Sequence, residues 1–335
     1  MSCYPFRLTR KGAGMGLCLG YESALRYWLT KSGDECLPDC SSDSTLAHAT
    51  ANRSDIISSP LPFDYSEDRP LHLLVSGNGG RRGTPGVKEH QLSPMLPQGS
   101  FRMLAGAVRV ASPELSYLLM AQCRDIQELA VIGCYLCGGF SISSEGSGYT
   151  GARDPITTPE EIAAFLDLMP GARGIKRARR ALQYVVPNTA SPIETLLALT
   201  SSLPPMLGGR TMPQVAANQR ILVPERLQKL ISADELYGDL YFESVKGDIE
   251  YDSYDFHTGR YRLDHTSTRR NVIEAAGIKV VSATWGQIKE FGLYQDFWWL
   301  VENNFGIRHK TYNEKQLLAQ ETLYCMLTNP EFRLF

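Results

Sequence analysis

The segment GDLYFESVKGDIEYDSYDFH, residues 238–257, decides how the C-terminal half of this chain folds. Two runs of alternating apolar and polar residues flank the sequence ESVKG, which predicts two neighbouring strands joined by a tight turn. Alternation places Asp239 on one face of the first strand, and Glu250 and Asp252 together on one face of the second. The turn should therefore bring Asp239 close to both of these acids.

Carboxylates placed in this way repel one another, so at least one takes up a proton unless a cation holds them together. Oxygen ligands of this kind suit Mg²⁺ or Mn²⁺. Beside a phosphate, such an ion orients a nucleophilic water and stabilises charge on the phosphoryl oxygens. His257 follows the second strand and is a candidate proton relay, and Arg269 and Arg270 on the next predicted helix are candidates to clamp a phosphate. The segment thus predicts a phosphodiester-cleaving site.

The surrounding pattern predicts an α+β fold in three parts. Residues 1–150 combine predicted strands and helices in an N-terminal domain, and residues 151–187 form a helical linker. From residue 188 to 335 the order is helix, three strands, helix and strand, followed by two further helices. We expect this last part to form a mixed sheet flanked by helices.

The linker contains a strongly basic helix, GIKRARRALQYV, at residues 174–185. Lys176, Arg177 and Arg180 are candidates for contacts with the phosphate backbone of a nucleic acid. A helix face that is simply solvated explains the same pattern, and the sequence leaves both readings open.

Two helix starts carry capping patterns. Thr158, Pro159 and Glu161 form one such signature. Ser191 and Glu194 form the other, in which the carboxylate would return to the backbone amide of the cap residue. Glu194 has a second interpretation as a metal ligand, and both can hold in part.

The net charge of −2 implies no general attraction to nucleic acid or anionic membrane, so DNA binding would have to come from a local patch. No run approaches the roughly 18 apolar residues of a membrane helix, and no signal-peptide core is evident. We therefore expect a cytoplasmic protein with no membrane partner and with reduced cysteines. Cys36, Cys40, Cys134 and Cys137 could supply four zinc ligands, but Cys134 and Cys137 lie in an apolar run typical of core cysteines, so no zinc is expected.

The region from about 188 to 290 resembles the Vsr-like small endonuclease domains of the PD-(D/E)XK nuclease superfamily. The resemblance is carried by SPIET, GGRTMPQVAANQRI, GDLYFESVKGDIEYDSYDFH and DHTSTRRNVIEAAGIKVVSATWGQI. It implies a restriction-endonuclease-like αβββαβ core and a divalent-metal-dependent DNA endonuclease or nickase, in DNA repair or phage defence. The N-terminal region resembles that of AbiEi-type abortive-infection proteins, which implies a targeting role or a protein partner.

By this resemblance, Asp239 matches the first motif aspartate and Glu250 the second acidic residue. His257 matches the histidine after the central strand, and Glu194 the helical carboxylate that joins the metal site. Asp252 stands where the family has lysine, so either Asp252 helps to hold the metal while His257 or an arginine substitutes, or catalysis is lost. The second case implies a DNA-binding regulator or antitoxin-like protein. Gly238 replaces the family's proline, a change that we expect to matter little.

Overall fold

The structure is a computed structural model that describes residues 16–32, 37–40, 46, 49–76, 83–92, 95–146, 148–252, 260–329 and 334–335, with only the backbone for 260–266. It is an α+β protein whose chain divides into two compact units. Unit 1 contains the described residues up to 27, those from 37 to 119, and residue 335; unit 2 contains 28–32 and the described residues from 120 to 334. The predicted linker, 151–187, therefore lies inside unit 2, as does the end of the predicted N-terminal domain.

Unit 1 is built on a mixed sheet. In spatial order the six strands are β2-β5-β6-β1-β3-β4, with parallel pairing between β1 and β6 and between β3 and β4. The strands are β1 Leu17–Leu19, β2 Asp39–Cys40, β3 Leu71–Val75, β4 Val87–Gln91, β5 Phe101–Ala105 and β6 Val108–Ala111. The helices in this part of the chain are α1 Tyr21–Thr30, α2 Arg53–Ser58 and α3 Pro113–Met120.

Unit 2 begins with helices and a hairpin and continues with a second sheet. Its helices are α4 Ile126–Leu136, α5 Pro159–Asp167, α6 Ile175–Leu182, α7 Pro192–Ser202, α8 Glu225–Ile231, α9 Arg260–Ala275, α10 Trp285–Ile288, α11 Phe291–Phe305 and α12 Glu314–Thr328. Its strands are β7 Phe140–Ile142, β8 Tyr149–Ala152, β9 Ala216–Leu222, β10 Glu235–Phe242, β11 Gly247–Asp252 and β12 Lys279–Thr284. Helix α4 packs against α6 and α7, which explains why residues from 120 onward belong to this unit.

The second sheet has the spatial order β12-β11-β10-β9. Strands β9, β10 and β11 form an antiparallel meander, whereas β12 is parallel to β11. A parallel neighbour needs a crossover connection, which α9 provides. From α7 to β12 the order is therefore helix, three strands, helix and strand, with α8, which the sequence analysis did not predict, between β9 and β10.

Apolar packing fixes this sheet against its helices. Leu236 of β10 and Val280 of β12 share a buried cluster with Val272 and Ile273 of α9. Elsewhere Phe242 of β10 packs on Phe305 of α11, with ring centroids 5.6 Å apart. These contacts hold β10 and β11, the two strands that carry the predicted acidic residues, between packed helices.

Local signals mark several helix starts correctly. The Thr158 hydroxyl accepts the Glu161 amide and the Glu161 carboxylate accepts the Thr158 amide, so the predicted capping box is confirmed. A second box, formed by Asp125 and Glu128, starts α4 and separates it from α3.

Two of the cysteines considered as zinc ligands are core residues of unit 2. Cys134 and Cys137 are buried, and the Cys134 thiol accepts the amide of Val186 at 3.3 Å. Burial raises the pKa of the Cys134 thiol to about 12, which favours the neutral form over a metal-binding thiolate. Cys40 lies in β2, and Cys36 lies outside the described residues.

Among the helices that the structure describes, none combines the length and the apolar character needed to cross a bilayer.

A buried ion pair ties the C-terminal helices of unit 2 to the loop after α7. Arg210 and Glu302 are each about 95% buried or more, and an Arg210 Nη1 donates to Glu302 Oε1 at 2.7 Å. The guanidinium also lies over the rings of Trp298 and Tyr312. His309 contacts the second oxygen of Glu302 at 2.8 Å.

We predict that Arg210→Met destabilises unit 2 by about 3–5 kcal/mol, because it leaves the Glu302 carboxylate buried without its main partner. The measurement is urea unfolding followed by circular dichroism. Arg220→Met is the control, because Arg220 pairs with the exposed Glu235, and it should leave the midpoint almost unchanged. Equal losses in the two variants would contradict a special role for the buried pair.

Candidate functional site

Strands β10 and β11 bring the predicted carboxylates together. The pairing of Leu240 with Ile249 and of Tyr241 with Asp248 sets the register of the two strands. Asp239 then lies against β11, where its Oδ2 accepts the Tyr251 amide at 2.8 Å. The structure thus places Asp239 beside the strand that carries Glu250 and Asp252.

Asp239 is a half-buried acid surrounded by other acids. Burial is the largest cause that raises its pKa, to about 8, and the neighbouring charges of Glu250 and Glu194 raise it further. The Tyr251 amide and the Arg269 guanidinium act in the opposite direction. The carboxyl group therefore holds a proton at neutral pH unless another cation approaches it.

Asp248 joins this group, although the sequence analysis did not select it. Its side chain is fully buried, and neither carboxylate oxygen has a hydrogen-bond donor among the described residues. Burial is the largest cause that raises the pKa of Asp248 well above its usual value, and the neighbouring Glu250 carboxylate raises it further. The buried Asp248 carboxyl group therefore favours its protonated, neutral form. The signal was present in the sequence, because alternation puts residue 248 on the same strand face as 250 and 252.

Gly238 makes room for Asp248. A Cβ atom at residue 238 would lie 2.7 Å from Asp248 Oδ1 and 2.8 Å from Oδ2, too close for any side chain. Glycine at this position therefore leaves room for the buried Asp248 carboxyl group, which would have to shift if residue 238 carried a side chain.

Glu250 is held by an arginine of the crossover helix. Arg269 Nη2 lies 3.0 Å from Glu250 Oε1 and Nε lies 3.1 Å from Oε2, a forked arrangement that uses both carboxylate oxygens. The same Nη2 donates to the backbone oxygen of Tyr237. We expected Arg269 to clamp a phosphate; in the structure its guanidinium binds Glu250 instead.

Glu194 approaches the same group from α7. Its side chain is buried and accepts the Ala190 amide at 2.7 Å and the Ser191 hydroxyl at 2.9 Å. Ser191 caps the helix as predicted, but the carboxylate reaches the amide of residue 190 and not that of the cap itself. Burial is the largest cause that raises the pKa of Glu194, and the charge of Glu250 adds to it. Glu194 therefore bonds at the start of α7 and also lies close enough to Glu250 to feel its charge.

Glu194, Asp239, Asp248 and Glu250 form what we call the acidic cluster. Asp252 lies at its edge, half-buried at the end of β11, with a pKa raised by burial and by Glu250. Among the described residues, no three acidic, histidine or cysteine side chains are already arranged to hold a metal ion.

The remaining predicted residues fall outside the cluster. Arg270 bonds Glu274 and the Val280 oxygen, and its charge lowers the pKa of Asp252. On α6, Arg177 donates to two backbone oxygens, those of residues 121 and 124, so this side chain has a structural role. Lys176 and Arg180 on the same helix are exposed. His257 lies outside the described residues.

Comparisons of the chain with protein-family models, with curated proteins and with solved structures find no match. Any functional assignment therefore depends on the chemistry of the acidic cluster and its surroundings.

We predict that the stability of unit 2 falls as the pH rises from about 4 to about 8 in the absence of divalent ions. Between the ordinary pKa of an aspartate and the pKa of about 8 for Asp239, the folded protein holds a proton that the unfolded chain has lost. Asp239→Asn copies the protonated form, so it should gain more than about 1 kcal/mol relative to wild type between pH 5.5 and pH 8.5. Urea unfolding in EDTA at both pH values checks this, and parallel pH profiles for the two proteins would contradict it.

We also predict that Gly238→Ala costs about 1–3 kcal/mol of stability, because the new methyl group collides with the Asp248 carboxyl. The control is Gly292→Ala in α11, where an added Cβ meets nothing within 4 Å and should be neutral or slightly stabilising. The cost should shrink when Asp248→Ala is already present. An unchanged cost in that background would mean that the contact is not its cause.

Proposed function

We propose that unit 2 is a divalent-metal-dependent endonuclease or nickase that hydrolyses phosphodiester bonds in DNA. The observation that carries the proposal is the acidic cluster, in which three separate elements, α7, β10 and β11, supply carboxyl groups whose charges act on one another. Apart from α8, which lies between β9 and β10, the order from Pro192 to Thr284 is αβββαβ, the core order of the nuclease superfamily that this region resembles, and it supports the same assignment.

The donor set suits Mg²⁺ or Mn²⁺, because these ions prefer oxygen ligands. Acidic side chains that lie close together do not by themselves indicate a metal site. Here the buried Asp248 also has two carboxyl oxygens that accept no hydrogen bond from the described residues, which supports a metal site. Asp239 and Asp248 both resist ionisation as they stand, and a divalent cation would offset that cost. Asp239, Asp248 and Glu250 are the residues that would hold the ion, with Glu194 beside them.

When bound, the ion would lower the pKa of a water molecule and stabilise charge on the phosphoryl oxygens. The Arg269 fork uses one lone pair on each Glu250 oxygen and places positive charge beside them, so a cation would bind Glu250 more tightly once the fork opened. Once free, the Arg269 guanidinium offers a fork of donors that fits a phosphate as well as it fits a carboxylate. His257 stays a predicted proton relay.

DNA would be held by basic side chains outside the cluster. Lys176 and Arg180 present exposed positive charge, whereas Arg177 is already engaged with backbone oxygens. A targeting role or a protein partner for unit 1 follows from the resemblance of the N-terminal region alone.

A catalytically silent DNA-binding regulator is the second candidate. Two observations favour it: Asp252 stands where the resemblance implies a catalytic lysine, and the Glu250–Arg269 pair satisfies the motif glutamate within the protein. Such a protein would retain the sheet and its basic surface but would not cleave.

We predict that the purified protein nicks supercoiled plasmid with Mg²⁺ or Mn²⁺, and that Asp239→Asn or Glu250→Gln lowers the rate by at least about 100-fold. Glu235→Gln is the matched control. Glu235 lies on the same strand as Asp239, but its carboxylate bonds Arg220 and Tyr237. It should cleave like wild type.

Fluorescence polarisation with labelled DNA separates the alternatives. DNA binding without nicking in any metal would favour the regulator. Equal nicking by wild type and both site variants would show that the acidic cluster is not the active site.

A further inference from the structure

The guanidinium of Arg269 is the positive charge that acts on most of the acidic cluster. It forms the fork with Glu250, and it lowers the pKa values of Asp239, Asp248 and Asp252. The cluster therefore has an internal counter-ion, supplied by α9.

An arginine fork and a divalent cation compete for the same carboxylate. A cation would use the Glu250 oxygens, and the Arg269 fork already donates to both. While the fork stays in place, its hydrogen bonds and its positive charge weaken the attraction between Glu250 and a cation. Removing the fork should therefore strengthen cation binding.

A phosphate group is the anion that can replace Glu250 on Arg269. Guanidinium groups bind carboxylate and phosphate in the same bidentate geometry. The Arg269 side chain is 24% exposed, so a ligand can reach it, and its bond to the Tyr237 oxygen keeps the guanidinium beside β10 during an exchange.

We infer that Arg269 couples DNA binding to divalent-cation binding by holding Glu250 until a DNA phosphate takes the place of that carboxylate. The released Glu250 then completes the cation site. This inference rests on the proposed function. Because such coupling is reciprocal, the cation should strengthen DNA binding by the same factor as DNA strengthens cation binding.

Arg270 provides a matched control for Arg269. The two arginines are adjacent on α9, but Arg270 bonds Glu274 and the Val280 oxygen and has no bond to Glu250. Arg270→Gln therefore removes the same charge from the same helix without opening the fork. Arg269→Lys keeps the charge but cannot form the fork.

The test is a titration of the full-length protein with Mn²⁺, with free Mn²⁺ measured by electron paramagnetic resonance. It is run with and without a short phosphorothioate duplex, and the binding of Mn²⁺ to the duplex alone is subtracted.

We expect the duplex to tighten Mn²⁺ binding about tenfold or more in wild type and in Arg270→Gln. Arg269→Gln should bind Mn²⁺ more tightly than wild type without DNA, and the duplex should change its affinity less than about twofold. Arg269→Lys should also bind Mn²⁺ more tightly than wild type in the absence of DNA. This variant tests the inference if Arg269→Gln fails to fold.

Wild-type Mn²⁺ affinity that is unchanged by DNA, in a protein that still nicks plasmid, would overturn the coupling and leave the proposed function intact. Weaker Mn²⁺ binding by both folded Arg269 variants would also overturn it, since Arg269 would then be supporting the cation site and not competing with the cation. A wild-type protein that binds neither Mn²⁺ nor DNA and nicks nothing would overturn the proposed function itself, and the inference with it.

Discussion

The fork between Arg269 and Glu250 is the contact on which the acidic cluster depends. Glu194 and Asp248 are buried and Asp239 and Glu250 are half-buried at this cluster, where charge is costly to remove from water. One guanidinium offsets part of that cost, and raised pKa values offset more by keeping protons on Asp239 and Asp248. A cluster balanced in this way gains from any additional positive charge that can reach it, and this is what a metal-binding or phosphate-cleaving site requires.

The same strand pair serves both the core and the cluster. Gly238 leaves space for the Asp248 carboxyl, and Gly247 leaves space for the Phe305 ring, whose atoms would lie 2.7 Å from a Cβ at that position. Interiors are close-packed, so neither contact tolerates an added methyl group without movement of its neighbours. The backbone of β10 and β11 thus fixes the position of a buried acid and of an apolar helix at once. Burying the Asp248 carboxyl group without a hydrogen-bond donor among the described residues costs stability, which is common where a site is built for binding and not for folding alone.

Arg269 also supplies positive charge near the position where the resemblance implies a lysine. Where the resemblance implies a lysine two residues after Glu250, this chain has Asp252, and a positive charge reaches Glu250 from α9 instead. Both proposed functions are compatible with an aspartate at residue 252 and an arginine beside Glu250. They differ in whether a DNA phosphate and a cation can together draw Arg269 away from Glu250.

The sequence by itself determined the features that depend on neighbouring residues. The alternation of β10 and β11, the turn between them, the Thr158–Glu161 capping box and, apart from α8, the order of elements from α7 to β12 follow from local periodicity and local hydrogen bonds. Tertiary structure alone decided which long side chains meet. Arg269 binds a glutamate 19 residues away, and Arg177 binds backbone oxygens more than 50 residues away, because an arginine has many acceptors of similar strength and only packing selects among them. The burial of Asp248 was decided in the same way, since alternation assigns a residue to a face of the sheet but packing determines how deeply that face is covered.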